Sequence, residues 1–356
     1  MGRHQLHILK IIQAACRGLP LAAALVCAAL FLVAPARATA AGTEITTWIA
    51  DWDLARGLTE WRAHQGLFDS VRVFSASFDE KDRPALSPDW ARVLGRDAAA
   101  VFGGTPAYLT VVNDVVTPSG KGNKLKDPGL VSRLLATPDS RSRHLDALLS
   151  LARDSRFQGL EIDYENVAEA DWPAFLDFVA ALWQRANASG LRLSVLLQPQ
   201  RRYLSRPLPP GPQYVLMGYN LYGFHSGPGP KATPAFLAEQ AAALRALGAL
   251  SSTTLALATG GFDWTGPKAA RQLTEAEARA LLAQQAAAPT RSAGDGYLVA
   301  RYRDGTGKDH EVWHADGQTL GTLWQAGRQA GFAGLAVWRL GGNTPSLFEF
   351  LSSLRK

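Results

Sequence analysis

Short runs rich in β-branched and aromatic residues recur along this chain, separated by stretches of helical character, and that alternation limits the architectures open to it. The runs lie near 45–49, 70–74, 107–112, 159–165, 193–197, 214–217, 254–258 and 334–338. Helical segments fall at 88–101, 140–154, 171–189, 234–247, 274–288 and 319–330. Thr274 with Glu277 three residues on makes a capping box, and Gly190 behind Ser189 is a stop signal. Strands that alternate with helices around one core pair in parallel, so eight repeats predict an α/β fold of the (β/α)8 TIM barrel type. An open, doubly wound sheet is the competing topology. One stretch breaks the alternation: 297–302, the Gly-rich turn 304–307 and 311–313 read as a small β-hairpin inserted between strands seven and eight.

The first 40 residues have a different character. Arg3, Lys10, Arg17 and Arg37 flank an almost wholly apolar run over 19–34, and Ala38, Thr39 and Ala40 then offer small residues at the spacing of a cleavage site. This predicts a secretory signal over 1–40, cleaved near Ala40, ahead of a folded domain over 41–356 in the periplasm or outside the cell. An uncleaved anchor is the alternative, and the leader is then the chain's only contact with a membrane. The formal charge of +6 comes from 37 basic and 31 acidic residues. Four basic residues belong to the leader, which leaves 33 against 31 beyond it. That balance argues against nucleic acid as a partner, because nucleic-acid binding needs a clustered basic surface. Cys16 and Cys27 also lie in the leader, so the folded domain relies on its core rather than on disulfides. With 47% apolar residues and only 19% charged, the chain has the material for that core.

The segment 158–166, Gln-Gly-Leu-Glu-Ile-Asp-Tyr-Glu-Asn, carries the chemistry. Side chains of a strand alternate between faces, so Leu160, Ile162 and Tyr164 share one side and Glu161, Asp163 and Glu165 the other. In a barrel the acids then point inward or up from the carboxyl end of the strand, where barrels build active sites. Alternate side chains stand about 7 Å apart, and at an effective dielectric near 20 two charges at that distance repel by roughly 2.4 kcal/mol. Three ionised carboxylates in a row are therefore disfavoured, and one held protonated beside an ionised neighbour makes a general acid. Two other readings stand beside this one: a buried network in which the acids pair with arginines, and a divalent cation held by the acids.

The same segment resembles the signature strand of glycoside hydrolase family 18, with its pattern Asp, two residues, Asp, one residue, Asp, one residue, Glu. Asp163 and Glu165 match the last two acids, while Gln158 and Glu161 replace the first two. Met217-Gly218-Tyr219-Asn220 is similar to the family's Met-x-Tyr-Asp on the sixth strand, with Asn in place of Asp. The segment 333–341 looks like its eighth strand, ending in Trp338, and 261–264 resembles its seventh-strand exit. Together with 227–230 and the region around Trp313, these pieces most resemble the spore-cortex and peptidoglycan N-acetylglucosaminidase branch. The resemblance makes 41–356 a catalytic domain and implies an exported hydrolase of β-linked N-acetylglucosamine polymers, peptidoglycan ahead of chitin, working with retention and without a cofactor or metal. The acetamide oxygen of the substrate, rather than an enzyme carboxylate, is then the nucleophile. Glu165 becomes the acid and base, Asp163 orients the acetamide, and Tyr219 donates to its oxygen. Asn220 lines the sugar next to the cleaved bond, with Glu161 and Met217 beside it, and Trp338 stacks beneath the ring. Trp48, Trp52 and Trp264 are candidates to extend the cleft. A chitinase-like lectin on the same fold is the non-enzymatic alternative, although that state usually follows loss of the acid, and Glu165 is present.

A second motif competes. His310-Glu311-Val312-Trp313-His314 satisfies His-Glu-x-x-His, which on a helix sets two imidazoles one turn apart for zinc with Glu as base of a metalloprotease. Leu320 stands where a third ligand would be expected, and Val312 and Trp313 favour a strand, so this reading ranks below the acid cluster.

Overall fold

The computed structural model describes residues 42–356 apart from Arg96 and Pro118. The expected leader over 1–40 lies outside the described residues. In chain order the strands are β1 (Glu44–Ala50), β2 (Ser70–Phe78), β3 (Pro84–Leu86), β4 (Ala107–Val115), β5 (Gly159–Asp163), β6 (Arg192–Leu197), β7 (Gln213–Met217) and β8 (Thr253–Ala258). Next come β9 (Gly260–Trp264), β10 (Ala270–Leu273), β11 (Thr290–Arg291), β12 (Leu298–Arg303), β13 (Asp309–Ala315) and β14 (Gly334–Leu340).

Strands β1, β2, β4, β5, β6, β7, β8 and β14 pair in parallel in that circular order. The circle closes because β1 pairs with β2 on one side, Trp48 opposite Arg72, and with β14 on the other, Ile45 opposite Leu335. This is the (β/α)8 barrel that the eight runs predict. The runs are buried on both faces because one side meets helices and the other the barrel interior, and of the polar side chains among them Arg72 and Glu161 point into that interior. Leu160, Ile162 and Tyr164 belong to the large core between strands and helices. Trp48, Phe74, Val112, Leu196, Val215, Met217 and Tyr219 pack into a second cluster within the barrel.

Two expectations need correction. The insertion is larger than a hairpin: β9 to β13 form a five-stranded antiparallel sheet in the order β10-β9-β13-β12-β11, and the helix Glu275–Gln284 packs with it. Its capping box is as predicted, with the Thr274 amide donating to Glu277 at 2.8 Å and the Glu277 amide to Thr274 at 3.2 Å. That helix belongs to the insertion rather than to the barrel. The helix expected over 88–101 is two, Pro88–Leu94 and Ala98–Val101, because Gly95 at φ 56° leaves the helical region.

Candidate active site

β5 delivers its acids as the two-residue period requires, and each meets a different environment. Glu161 sits lowest and is fully buried. It accepts from Trp48 Nε1 at 2.7 Å, Thr110 Oγ1 at 2.8 Å and Ser194 Oγ at 3.0 Å, and pairs with the Arg72 guanidinium across the barrel. Arg72 in turn lies over the Tyr108 ring at 4.8 Å and the Trp48 ring at 5.6 Å. Every acceptor position of Glu161 is thus occupied from within. The expectation that it contacts substrate is replaced by an internal ion pair, the arginine network foreseen as an alternative but confined to this one acid.

Asp163 and Glu165 open toward the mouth at the carboxyl ends of the strands, and one ammonium serves both. Lys126 Nζ stands 3.2 Å from Asp163 Oδ2 and 2.9 Å from Glu165 Oε1. The Asp163 carboxyl is 4% exposed and that of Glu165 19%. Burial pushes Asp163 up to about 7, Lys126 opposing the rise and Glu165 and Glu161 adding to it. Burial works against the Lys126 charge, but Asp163, Glu165 and Asp114 outweigh it and hold the proton on. Of the two acids at the mouth, Asp163 is the more deeply buried, and burial favours its neutral form. Its Oδ1 is buried and has no partner among the described residues.

Two further residues hold Glu165 in place, and sequence reasoning singled out neither. Asn113, fully buried near the end of β4, accepts from the Glu165 amide at 2.9 Å and donates Nδ2 to the Glu165 carbonyl at 2.9 Å and to that of Asp127 at 3.2 Å. Gln198, just past β6, donates to Glu165 Oε2 at 2.9 Å and accepts from the Asn166 amide at 2.9 Å. Lys126 was also missed. It sits in the left-handed region at φ 53°, a conformation costing a non-glycine residue about 1–2 kcal/mol, and its amide donates to Asp114 Oδ1 at 2.7 Å.

Tyr219 follows β7 and is buried at the same level. Burial and the three nearby carboxylates push its ionisation well up, so the hydroxyl stays a neutral donor. Gly218 makes this turn possible, since a Cβ there would come within 2.4 Å of Leu255 Cδ1 and 2.8 Å of Ala256 O. Met217 is buried in the barrel interior and forms wall beneath the site rather than substrate surface. Asn220 is exposed at the rim.

Trp338, at the end of β14, is half-buried and packs edge-on against Trp48 at 5.7 Å and Phe74 at 5.3 Å. The Trp338–Arg339 peptide is cis. Trp52, 6.2 Å from Trp338 and 60% exposed, continues the aromatic surface outward. Trp48 and Trp264 do not extend the cleft: Trp48 is fully buried and donates to Glu161, and Trp264 is buried against Phe262 in the inserted sheet. A hollow of about 400 Å³ lined by Glu44, Tyr108, Trp183, Arg192 and Gln213 lies at the other end of the strands, away from these acids.

The His-Glu-x-x-His motif falls on strand β13. Two residues four apart on one strand face stand about 13 Å apart, too far to share an ion as helix neighbours do. His310 Nδ1 lies 2.8 Å from Asp263 and Nε2 lies 3.3 Å from Asp304, Glu311 pairs with Arg301, and His314 is fully buried.

With this geometry in hand, comparison with solved structures fixes the fold. A chitinase from Chromobacterium violaceum ATCC 12472 superposes with a TM-score of 0.72 at 20% identity, over 88% of this chain and 99% of that one. The Bacillus cereus spore cortex-lytic enzyme SleL superposes with a TM-score of 0.75 at 18% identity, over 88% of this chain and 74% of that one. The chain shares with both the (β/α)8 barrel fold. By sequence it is similar to a Bacillus subtilis protein described as the uncharacterized glycosylase YvbX, 22% identical over 236 residues, which span 63% of this chain and 69% of that protein. No family model matches.

Proposed function

We propose that this protein is an exported glycoside hydrolase that cleaves β-linked N-acetylglucosamine polymers, peptidoglycan ahead of chitin, with retention of configuration. The observation that carries this reading is the pairing of Asp163 and Glu165 at the barrel mouth, one nearly sealed and the other partly open, beside a half-exposed Trp338. Glu165, held by Asn113 and Gln198, donates its proton to the glycosidic oxygen as the bond to the anomeric carbon breaks. The acetamide oxygen of the same sugar attacks that carbon from the opposite side and forms a cyclic oxazolinium ion. Asp163, held by Lys126 and nearly sealed, is poorly placed to attack as a carboxylate, and its unpartnered Oδ1 suits it to the acetamide N–H. Tyr219 donates to the acetamide oxygen, Asn220 lines the rim of that sugar, and Trp338 lies beneath it. Glu165, now a carboxylate, takes a proton from water, which opens the ring from the face the leaving group left. The fold likeness to a chitinase and to a spore cortex-lytic enzyme supports the substrate class, and the leader supports export.

The test incubates purified protein and its Glu165→Gln variant with peptidoglycan and with chitin oligomers and identifies new reducing ends by mass spectrometry. N-acetylglucosamine reducing ends from the parent protein, lost by at least about 1,000-fold in the variant while oligosaccharide binding persists, are expected. Turnover retained by Glu165→Gln, or none by the parent on either polymer, overturns the assignment.

A further inference from the structure

We infer that Lys126 makes this site selective for glycan whose sugar on the leaving side carries a free carboxylate in a substituent on the carbon adjacent to the one that bears the leaving oxygen. The inference rests on the hydrolase reading above and adds to it a charge requirement on the substrate. In the free protein the Lys126 ammonium is balanced by Asp163 and Glu165, at 3.2 and 2.9 Å. To act as an acid, Glu165 must carry a proton, and it then ceases to be a counterion. Asp163, at 3.2 Å, is the remaining partner. The acid-competent site therefore holds a largely buried cation with one carboxylate partner where the free site gives it two, and an anion that arrives with the substrate takes the place of the second. Asp114 favours the Lys126 charge from a distance, but the ion pairs of the ammonium are with Asp163 and Glu165 alone among the described residues.

The position of that anion follows from the chemistry. Glu165 must lie within hydrogen-bond reach of the leaving oxygen, so Lys126, in contact with Glu165, lies beside the substituents on the neighbouring carbon. In a 1,4-linked polymer the leaving oxygen is O4 on C4, and of the two ring carbons beside C4 it is C3, bearing O3, that differs between the two polymers. A 3-O-carboxyalkyl ether, the acidic group of the alternate sugar in peptidoglycan, occupies this place, whereas chitin has only a hydroxyl there. The rim agrees. Segments 116–126 and 199–206, which follow β4 and β6 on either side of β5, hold Lys121, Lys124, Lys126, Arg201, Arg202 and Arg206 and no acid. All of these but Lys126 are exposed. Such a rim concentrates polyanionic strands at the mouth.

Where a peptide is amide-linked to that carboxyl the charge is absent. The preferred substrate is then glycan from which peptides have been removed, and the reaction that supplies it is hydrolysis of that amide. The test uses the full-length protein, its Lys126→Met and Lys126→Arg variants, and three glycans of equal length: strands with free carboxylates, the same strands with every carboxylate converted to the methyl amide, and chitin oligomers. The parent protein is expected to show a kcat/KM about tenfold or more higher on the free carboxylate than on the amide, as for a charge pair formed away from bulk water. Lys126→Met should bring the two within about threefold and Lys126→Arg should restore most of the difference. Equal rates on carboxylate and amide by the parent overturn the inference, and so does an unchanged ratio in Lys126→Met. The first comparison needs no variant to fold. Calorimetric binding to Glu165→Gln separates the two readings: no turnover by the parent, with tighter binding of the carboxylate form, sinks the hydrolase and leaves the selectivity, whereas equal binding sinks the selectivity.

Discussion

Replacing Arg72 by Met removes the cation that balances Glu161 at the centre of the barrel and leaves a carboxylate with no exposure to water. Three neutral donors would remain on it, Trp48 Nε1, Thr110 Oγ1 and Ser194 Oγ at 2.7, 2.8 and 3.0 Å, so its loss of solvation is only partly offset. Breaking a buried pair from one side costs about 3–5 kcal/mol, against a typical total stability of about 5–15 kcal/mol. Glu161→Gln breaks the pair from the other side, keeps an acceptor for Trp48 and Thr110, and should cost about 2–4 kcal/mol, chiefly through the unpaired guanidinium. The double variant should recover about 2 kcal/mol or more of the summed cost, because neither charge is then stranded. Urea unfolding of all four proteins at pH 7 measures the cycle. A second readout separates an internal pair from a sugar contact: folded Glu161→Gln should keep the KM for oligosaccharide within about twofold. Additive losses, or a KM raised about tenfold at unchanged stability, would refute the reassignment of Glu161.

Other consequences are independent of that pair. Burial pushes Asp163 up to about 7 in the folded protein, against about 3.9 unfolded, so its neutral form stabilises the fold below pH 4 and this contribution disappears as pH rises through 7. Asp163→Asn should therefore gain melting temperature relative to the parent between pH 4.5 and 8, and a gain that shrinks over that range contradicts the burial of this group. His144 and His314, pushed down to about 3 and about 4 by burial, act with the opposite sign, so their neutral forms cease to support the fold as pH falls below 6.5. Trp52→Ala should lower kcat/KM on a chitin tetramer by about tenfold and leave the dimer and the melting temperature nearly unchanged. Equal losses on both lengths would remove Trp52 from the cleft.

The barrel was legible because each of its strands is a short apolar run, and runs covered on both faces leave that mark whatever surrounds them. The inserted sheet was less so. β10 and β11 are only four and two residues long and largely exposed, and the helix Glu275–Gln284 has the same pattern and cap as a barrel helix. Asp163 and Glu165 were readable from a period of two. The fate of Glu161 was not, because its partner Arg72 is 89 residues away and meets it only across the closed barrel. Trp48 and Trp264 illustrate the same limit, since a ring that caps an ion pair and one that faces a sugar look alike in sequence. Lys126 lay in a polar, Gly-containing loop with no motif around it. The signals that could have pointed to Asn113 and Gln198 were polar residues directly at the ends of apolar strands, on either side of the acidic one.

The central claim is that the acetamide of the substrate attacks while Glu165 supplies and later reclaims the proton, and product stereochemistry tests it most directly. Proton NMR of a fresh digest, recorded before the anomers equilibrate, should show the β-anomer at new reducing ends first, with the α-anomer growing in only by mutarotation. An α-anomer that appears first would mean direct attack by water, and would contradict the mechanism.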